Sequence, residues 1–348
     1  MSVDDLLEAL PKVELHCHVE GTMRPSTVKE LARKNGVPLP VDDPQALYVY
    51  DSLDGFLRVF WLVQSVLGDR GDWARLAYES VVDAAPHGLA YRESFFTPAR
   101  HLAAGQSLGD IVAGLDEGFR AAEAETGVRV NLILDFDRDF GPGPALEQAQ
   151  ELVDLLRRRA PGADRVIGVG YDSTEIGRAP ASFAEAFAVA RHAGLRRTAH
   201  QGENSGPDAI AACVDLLGAE RIDHGISLLD DPDLTSRFVD ERIALTVCPN
   251  SNVRIANAYP TLADHVFPRM REAGVLATLN TDDPALTGLD LGYEYRSVAA
   301  AFGYGWDEMV AIALDGVEAS WLDEVDKVPL RQRIQGAAAA ATGAPAPA

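Results

Sequence analysis

The chain has 348 residues, 47% of them hydrophobic and 7% aromatic, which supplies a buried core and excludes a disordered polymer. Its 53 acidic and 31 basic side chains leave a formal charge of -22 that repels phosphate backbones and anionic lipid headgroups, so no nucleic-acid or membrane partner is expected. Three scattered cysteines (Cys17, Cys213, Cys248), an acidic start with Asp4, Asp5 and Glu8, and no apolar run long enough for a bilayer predict a reducing, cytoplasmic setting.

Eight short apolar or β-branched runs read as strands: Val13 to His18, Leu89 to Thr97, Val128 to Asp135, Arg165 to Tyr171, Leu195 to His200, Arg221 to His224, Ala244 to Cys248 and Val275 to Asn280. Between them lie stretches with helical spacing, including Ala145 to Arg159, Ser182 to Ala193, Asp208 to Leu217 and Leu262 to Ala273. This alternation predicts an α/β fold, a (β/α)8 TIM barrel forming one domain over residues 1–335. An open doubly wound sheet is the alternative, but no glycine-rich phosphate loop follows the first strand. The first two strands are far apart in sequence, which requires extra helices between them, with Thr27 to Asn35 and Phe56 to Leu67 as candidates. Such an insertion serves either as a lid over the mouth or as packing on the outside. The alanine-rich end, residues 336–348, reads as a frayed tail.

Chemistry is written at the strand ends. His16 and His18 share one face of the first strand while Cys17 faces away. His200 and His224 each close a later strand, and Asp282 and Asp283 follow the last one. In a barrel these ends meet at the catalytic face, and three histidines with a carboxylate suit a zinc ion that keeps a position open for water. The remaining histidines, His87, His101, His192 and His265, read as surface residues. Glu203, three residues after His200 and ahead of a helix that Ser205 and Pro207 start, is the candidate general acid and base.

The motifs LPKVELHCHVEG (10–21), AHQGE (199–203), RIDHG (221–225), CPNSN (248–252) and NTDDP (280–284) together resemble the adenosine deaminase family. The resemblance spans nearly the whole chain before the tail. It implies one zinc per chain held by His16, His18, His200 and Asp282, a His224 that orients and helps deprotonate water, and a Glu203 that protonates N1 of the purine. Asp283 would grip N7. Hydrolytic removal of a 6-amino group would place the chain in purine metabolism. Adenosine is placed first as substrate, with adenine and aminodeoxyfutalosine as alternatives. Glu20 stands where adenosine-specific members carry a ribose-contacting aspartate, and Ser173 where they carry a glycine that contacts the base. The segments Phe136 to Asp139 and Gly170 to Glu175 are more similar to the adenine branch, whereas Asn280 to Gly288 departs from it.

Three competing readings are weaker. A two-metal amidohydrolase needs a lysine on a middle strand, and only Lys12, Lys29, Lys34 and Lys327 exist. A cytidine-deaminase-like enzyme needs P-C-x-x-C, which is missing. A non-catalytic zinc-binding barrel would lack Glu203 or His224, and both are present.

Overall fold

A computed structural model describes residues 2–50 and 53–342 of the protein. Parallel strands covered on both faces are mostly apolar, and a charge within one needs a partner, as Arg92 has in Glu14 at 2.6 Å. Accordingly β2 (Leu89–Phe96) is buried throughout and β3 (Arg129–Asp137) is buried beyond its first residue. With β1 (Lys12–Glu14), β4 (Val166–Asp172) and β5 (Arg196–Arg197) they form a parallel sheet in the order β1 to β5. A second parallel sheet holds β6 (His200–Gln201), β7 (Arg221–His224), β8 (Ala244–Val247) and β9 (Ala277–Leu279).

The expected strand Leu195 to His200 is split into β5 and β6. The chain steps between the sheets at Thr198, whose N–H donates to the Val169 carbonyl at 3.0 Å, and Ala199, whose carbonyl accepts from Asp223 at 2.8 Å. At the other end, the Asp282 N–H donates to the His16 carbonyl at 3.1 Å and the His18 N–H donates to the Asp282 carbonyl at 2.9 Å. The strands therefore link into a ring whose two joins are His16–His18 with Asp282, and Thr198–Ala199. Both joins carry expected site residues or their neighbours.

Helices separate successive strands except at the break between β5 and β6. Leu108–Thr126 starts where the Ser107 hydroxyl accepts from the Asp110 N–H at 3.1 Å and stops at Gly127, which takes a left-handed φ of 72°. Two expected helices are interrupted. Pro207–Ala212 widens into a π turn at Cys213–Leu217, and Leu262 to Ala273 divides into a 3₁₀ turn, Leu262–Asp264, and a helix, Phe267–Glu272, that Pro268 helps to start. Glu324–Thr342 remains helical past Gly336, where fraying was expected to begin; the rest of the expected tail lies outside the described residues.

The segment between β1 and β2 contains helices Pro25–Asn35, Leu53–Ser65 and Arg70–Ala84. Its helices take two different positions. Arg70–Ala84 packs outside the barrel against Leu108–Thr126, so closely that a Cβ on Gly118 would lie 2.0 Å from the Ala74 carbonyl oxygen. Leu53–Ser65 instead sends Phe56, Leu57 and Phe60 to the wall of the cavity at the mouth. Among the described residues, no helix is long and apolar enough to cross a membrane.

Candidate active site

Six described non-glycine residues have positive φ, and three of them are Ser173 (71°), His224 (65°) and Asp282 (65°). Each stands where a strand ends or has just ended, and a side chain pays about 1–2 kcal/mol to adopt this backbone. Backbone bonds to His16 and His18 hold the Asp282 turn, Arg138 holds the Ser173 carbonyl, and all three side chains line one cavity.

Three imidazoles and a carboxylate converge beyond β1, β6 and β9. His16 Nε2 lies 3.0 Å from His200 Nε2 and 3.1 Å from Asp282 Oδ1, while His18 Nε2 lies 3.0 Å from His200 Nε2 and 3.4 Å from Asp282 Oδ1. Ligands about 2.0–2.1 Å from a tetrahedral zinc ion stand about 3.3 Å apart, so these spacings suit a shared cation. The His16 tautomer agrees: Nδ1 faces the Thr246 carbonyl at 3.1 Å and carries the hydrogen, which leaves the Nε2 lone pair for the cluster. Burial and the neighbouring ring of His16 lower His200 well below its ordinary pKa, and burial lowers His18 to about 4, so both offer lone pairs. Burial opposes ionisation of Asp282, yet His16 beside it holds the carboxylate below the usual range. Its second oxygen accepts from the Ser251 hydroxyl at 2.6 Å. His224 also lies in the group, its ring 4.6 Å from that of His16.

Glu203 lines the same cavity. Its Oε1 accepts from Asn252 at 2.8 Å, and burial, with Asp282 and Glu175 nearby, raises the carboxyl to about 8. The turn that carries it is clamped by Glu175. One Glu175 oxygen accepts from the Glu203 N–H and the other from the Gly202 N–H, both at 2.9 Å. Ser205 also bonds Glu175 instead of capping the next helix, whose N-cap is Gly206.

The opposite wall is acidic. Glu20 is fully buried in a 3₁₀ turn, where Oε1 accepts from the Thr97 N–H at 2.8 Å and Oε2 has no partner. The Thr97 hydroxyl donates to Asp172 at 2.6 Å, which brings Glu20 behind the cavity-lining Asp172. Burial raises Glu20 to about 7 and Asp172 to about 8, and lifts Asp283 well above its ordinary value with Asp282 beside it. Asp283 Oδ1 is also unpartnered, and Gly21 lies so near it that a Cβ there would come within 1.9 Å. Arg138 ties the loops together by donating to the carbonyls of Asp172 (2.7 Å), His200 (2.9 Å) and Ser173 (2.6 Å).

Of the residues singled out in the sequence, His18, Ser173, His200, Glu203, His224, Asp282 and Asp283 line the cavity, while His16 and Glu20 lie behind it. Two histidines read as surface residues are instead buried: His101 packs against Trp73 at 4.7 Å, and His265 contacts Tyr259 and Asn252. Glu175, Ser251 and Asn252 were given no role from sequence, although each sits inside a quoted segment.

The profile of the adenosine deaminase family matches residues 11–337. The chain belongs to that family. An adenine deaminase from Streptomyces coelicolor is 40% identical over 330 residues, covering 94% of this chain and 95% of the relative. One from Geotalea uraniireducens is 38% identical, covering 90% of this chain and 88% of its own. The crystal structure of an adenine deaminase from Arthrobacter aurescens superposes with a TM-score of 0.88 at 33% identity, over 94% of this chain and 99% of the other. An amidohydrolase from Burkholderia ambifaria with bound zinc gives 0.90 at 29% identity, over 99% and 96%. This family member is therefore a hydrolytic deaminase of aminopurines, and its buried histidine and aspartate cluster has the donor atoms to hold a metal ion.

Proposed function

We propose that the protein hydrolyses adenine to hypoxanthine and ammonia, using one zinc ion held by His16, His18, His200 and Asp282. Adenine displaces adenosine, which the sequence put first. The observation that carries this choice is the unpartnered Asp283 Oδ1 on the cavity wall beside the reactive cluster, with Glu20, whose Oε2 is also unpartnered, buried behind that wall. A buried acceptor without a donor costs about 1–3 kcal/mol, and free adenine carries a ring N–H on its five-membered ring where adenosine carries ribose. An acid-rich wall with an open acceptor suits the base that has this extra donor. The adenine deaminases among the relatives support the same choice.

When bound, zinc supplies the Lewis acidity that makes hydroxide available near neutral pH. The rest is done by side chains. As oxygen adds to C6, electron density moves onto N1, and the Glu203 carboxyl, protonated up to about pH 8, delivers a proton there. The resulting carboxylate then carries the proton of the new C6 hydroxyl to the departing amino group, giving the C6 carbonyl and ammonia. A proton released from the next water restores Glu203. Asp283 meets the base, Glu20 backs that wall through Thr97 and Asp172, and Phe56 and Phe60 line the cavity from the inserted helix.

Zinc-loaded protein mixed separately with adenine, adenosine and aminodeoxyfutalosine, followed by absorbance loss and ammonia release, tests the reading. Adenine should react with a kcat/KM roughly a thousandfold or more above the nucleosides, since a site built around an N–H rejects analogues lacking it. Faster turnover of adenosine would overturn the substrate choice.

A further inference from the structure

The Phe267 N–H opens a helix and has no acceptor within it, so it needs one outside. It donates to His265 Nδ1 at 3.0 Å. A backbone N–H cannot reverse its role, so Nδ1 must be the acceptor and His265 must be neutral, with its hydrogen on Nε2. Burial, which lowers His265 to about 4, favours the same state. Nε2 then donates to Asn252 Oδ1 at 3.2 Å, and this fixes which end of the Asn252 side chain is oxygen. The amide NH₂ must face the other way, where two acceptors wait: Glu203 Oε1 at 2.8 Å and His224 Nδ1 at 3.1 Å. An amide has two hydrogens, one for each.

We infer that His265 and Asn252 are positioning residues which, starting from one backbone amide, fix the tautomer of His224 and the protonated oxygen of Glu203. His224 accepts at Nδ1, so its hydrogen is on Nε2. It meets the cluster as an N–H donor that orients the attacking water and has no lone pair there to share with a metal or to serve as a base. This separates His224 from His16, His18 and His200, although all four lie together. Glu203 Oε1 accepts, so the exchangeable proton is on Oε2. The catalytic consequence rests on the deaminase reading above; the tautomer does not.

Zinc-loaded protein containing ¹⁵N-histidine gives the first measurement, with the His224 ring signals assigned through their loss in His224→Gln. Nδ1 should be unprotonated and Nε2 protonated, and a protonated Nδ1 overturns the inference. Two variants give the second. His265→Leu should lower kcat about 10–100-fold, the usual cost of removing an orienting partner, with KM and zinc content within twofold and a mixture of His224 tautomers. His265→Gln, which keeps a donor, should recover most of the rate. An unchanged His224 spectrum in His265→Leu, or equal losses in the two variants, would also overturn it. Wild-type protein that is silent on adenine but has His224 unprotonated at Nδ1 would sink the adenine reading and leave this one standing.

Discussion

The two walls of the mouth treat their carboxylates in opposite ways. On the wall built after β6 to β9, reacting groups are tethered: Asp282 by Ser251 and His16, Glu203 by Asn252, and Asn252 by His265. On the wall built from the β1, β3 and β9 ends, Glu20 Oε2, both Asp135 oxygens and Asp283 Oδ1 are buried without partners. Asp282 and Asp283 mark the boundary, adjacent in the chain and opposite in treatment. Bonds made before substrate arrives hold atoms where chemistry needs them, whereas an open acceptor on the cavity wall, here Asp283 Oδ1, is free to take its donor from the substrate. Rate should therefore be written on the tethered wall and substrate choice on the open one.

Substitutions can break that division. The largest effect is expected for His16→Ala: zinc should fall from about one per chain toward zero and turnover with it, and full metal content in the purified variant would contradict the ligand assignment. Glu203→Gln should keep zinc and fold while kcat drops by about two to four orders of magnitude. In the parent protein kcat should fall as pH rises through about 8, because Glu203 is then deprotonated and cannot give N1 a proton; a flat profile across that range would remove its acid role. On the open wall, Asp283→Asn should lower kcat/KM for adenine about 5–150-fold, the value of one buried acceptor, without loss of zinc. The smallest change is expected for Glu20→Asp, which should shift the ratio of adenine to adenosine rates about 10-fold at constant melting temperature. If Glu20→Asp altered zinc content, or Glu203→Gln altered the substrate ratio, the walls would not be independent.

The barrel was legible because its strands are short runs rich in apolar residues even where buried charges such as Arg92 and Glu93 interrupt them, and the candidate site was legible because polar residues stand at the ends of those runs at His18, His200, His224 and Asp282. The break at Thr198 was not, since it follows from the passage between two sheets and leaves no mark on the apolar pattern. Helix Arg70–Ala84 escaped notice for another reason. Its buried face includes Asp72, Glu79 and Ser80, and two of these are paired with residues of Pro25–Asn35: Lys34 with Asp72 and Thr27 with Glu79. Charges buried in pairs blur the periodicity that identifies an amphipathic helix. Asn252 was in plain sight within CPNSN, but its partners Glu203 and His224 are 49 and 28 residues away, and only the folded chain brings them within reach. His265 looked like an isolated polar residue for the same reason.

Phe56, Leu57 and Phe60 reach the cavity from an inserted helix outside the strand ring, and Phe60 stands 6.1 Å from the imidazole of His18. Mutations at Phe56 and Leu57 leave in place the strand hydrogen bonds that set the spacing of the histidines, so descendants of this gene are free to try new walls while inheriting the same reactive edge. Diversity among the substrates of such barrels would then accumulate first in this helix and last in the histidines.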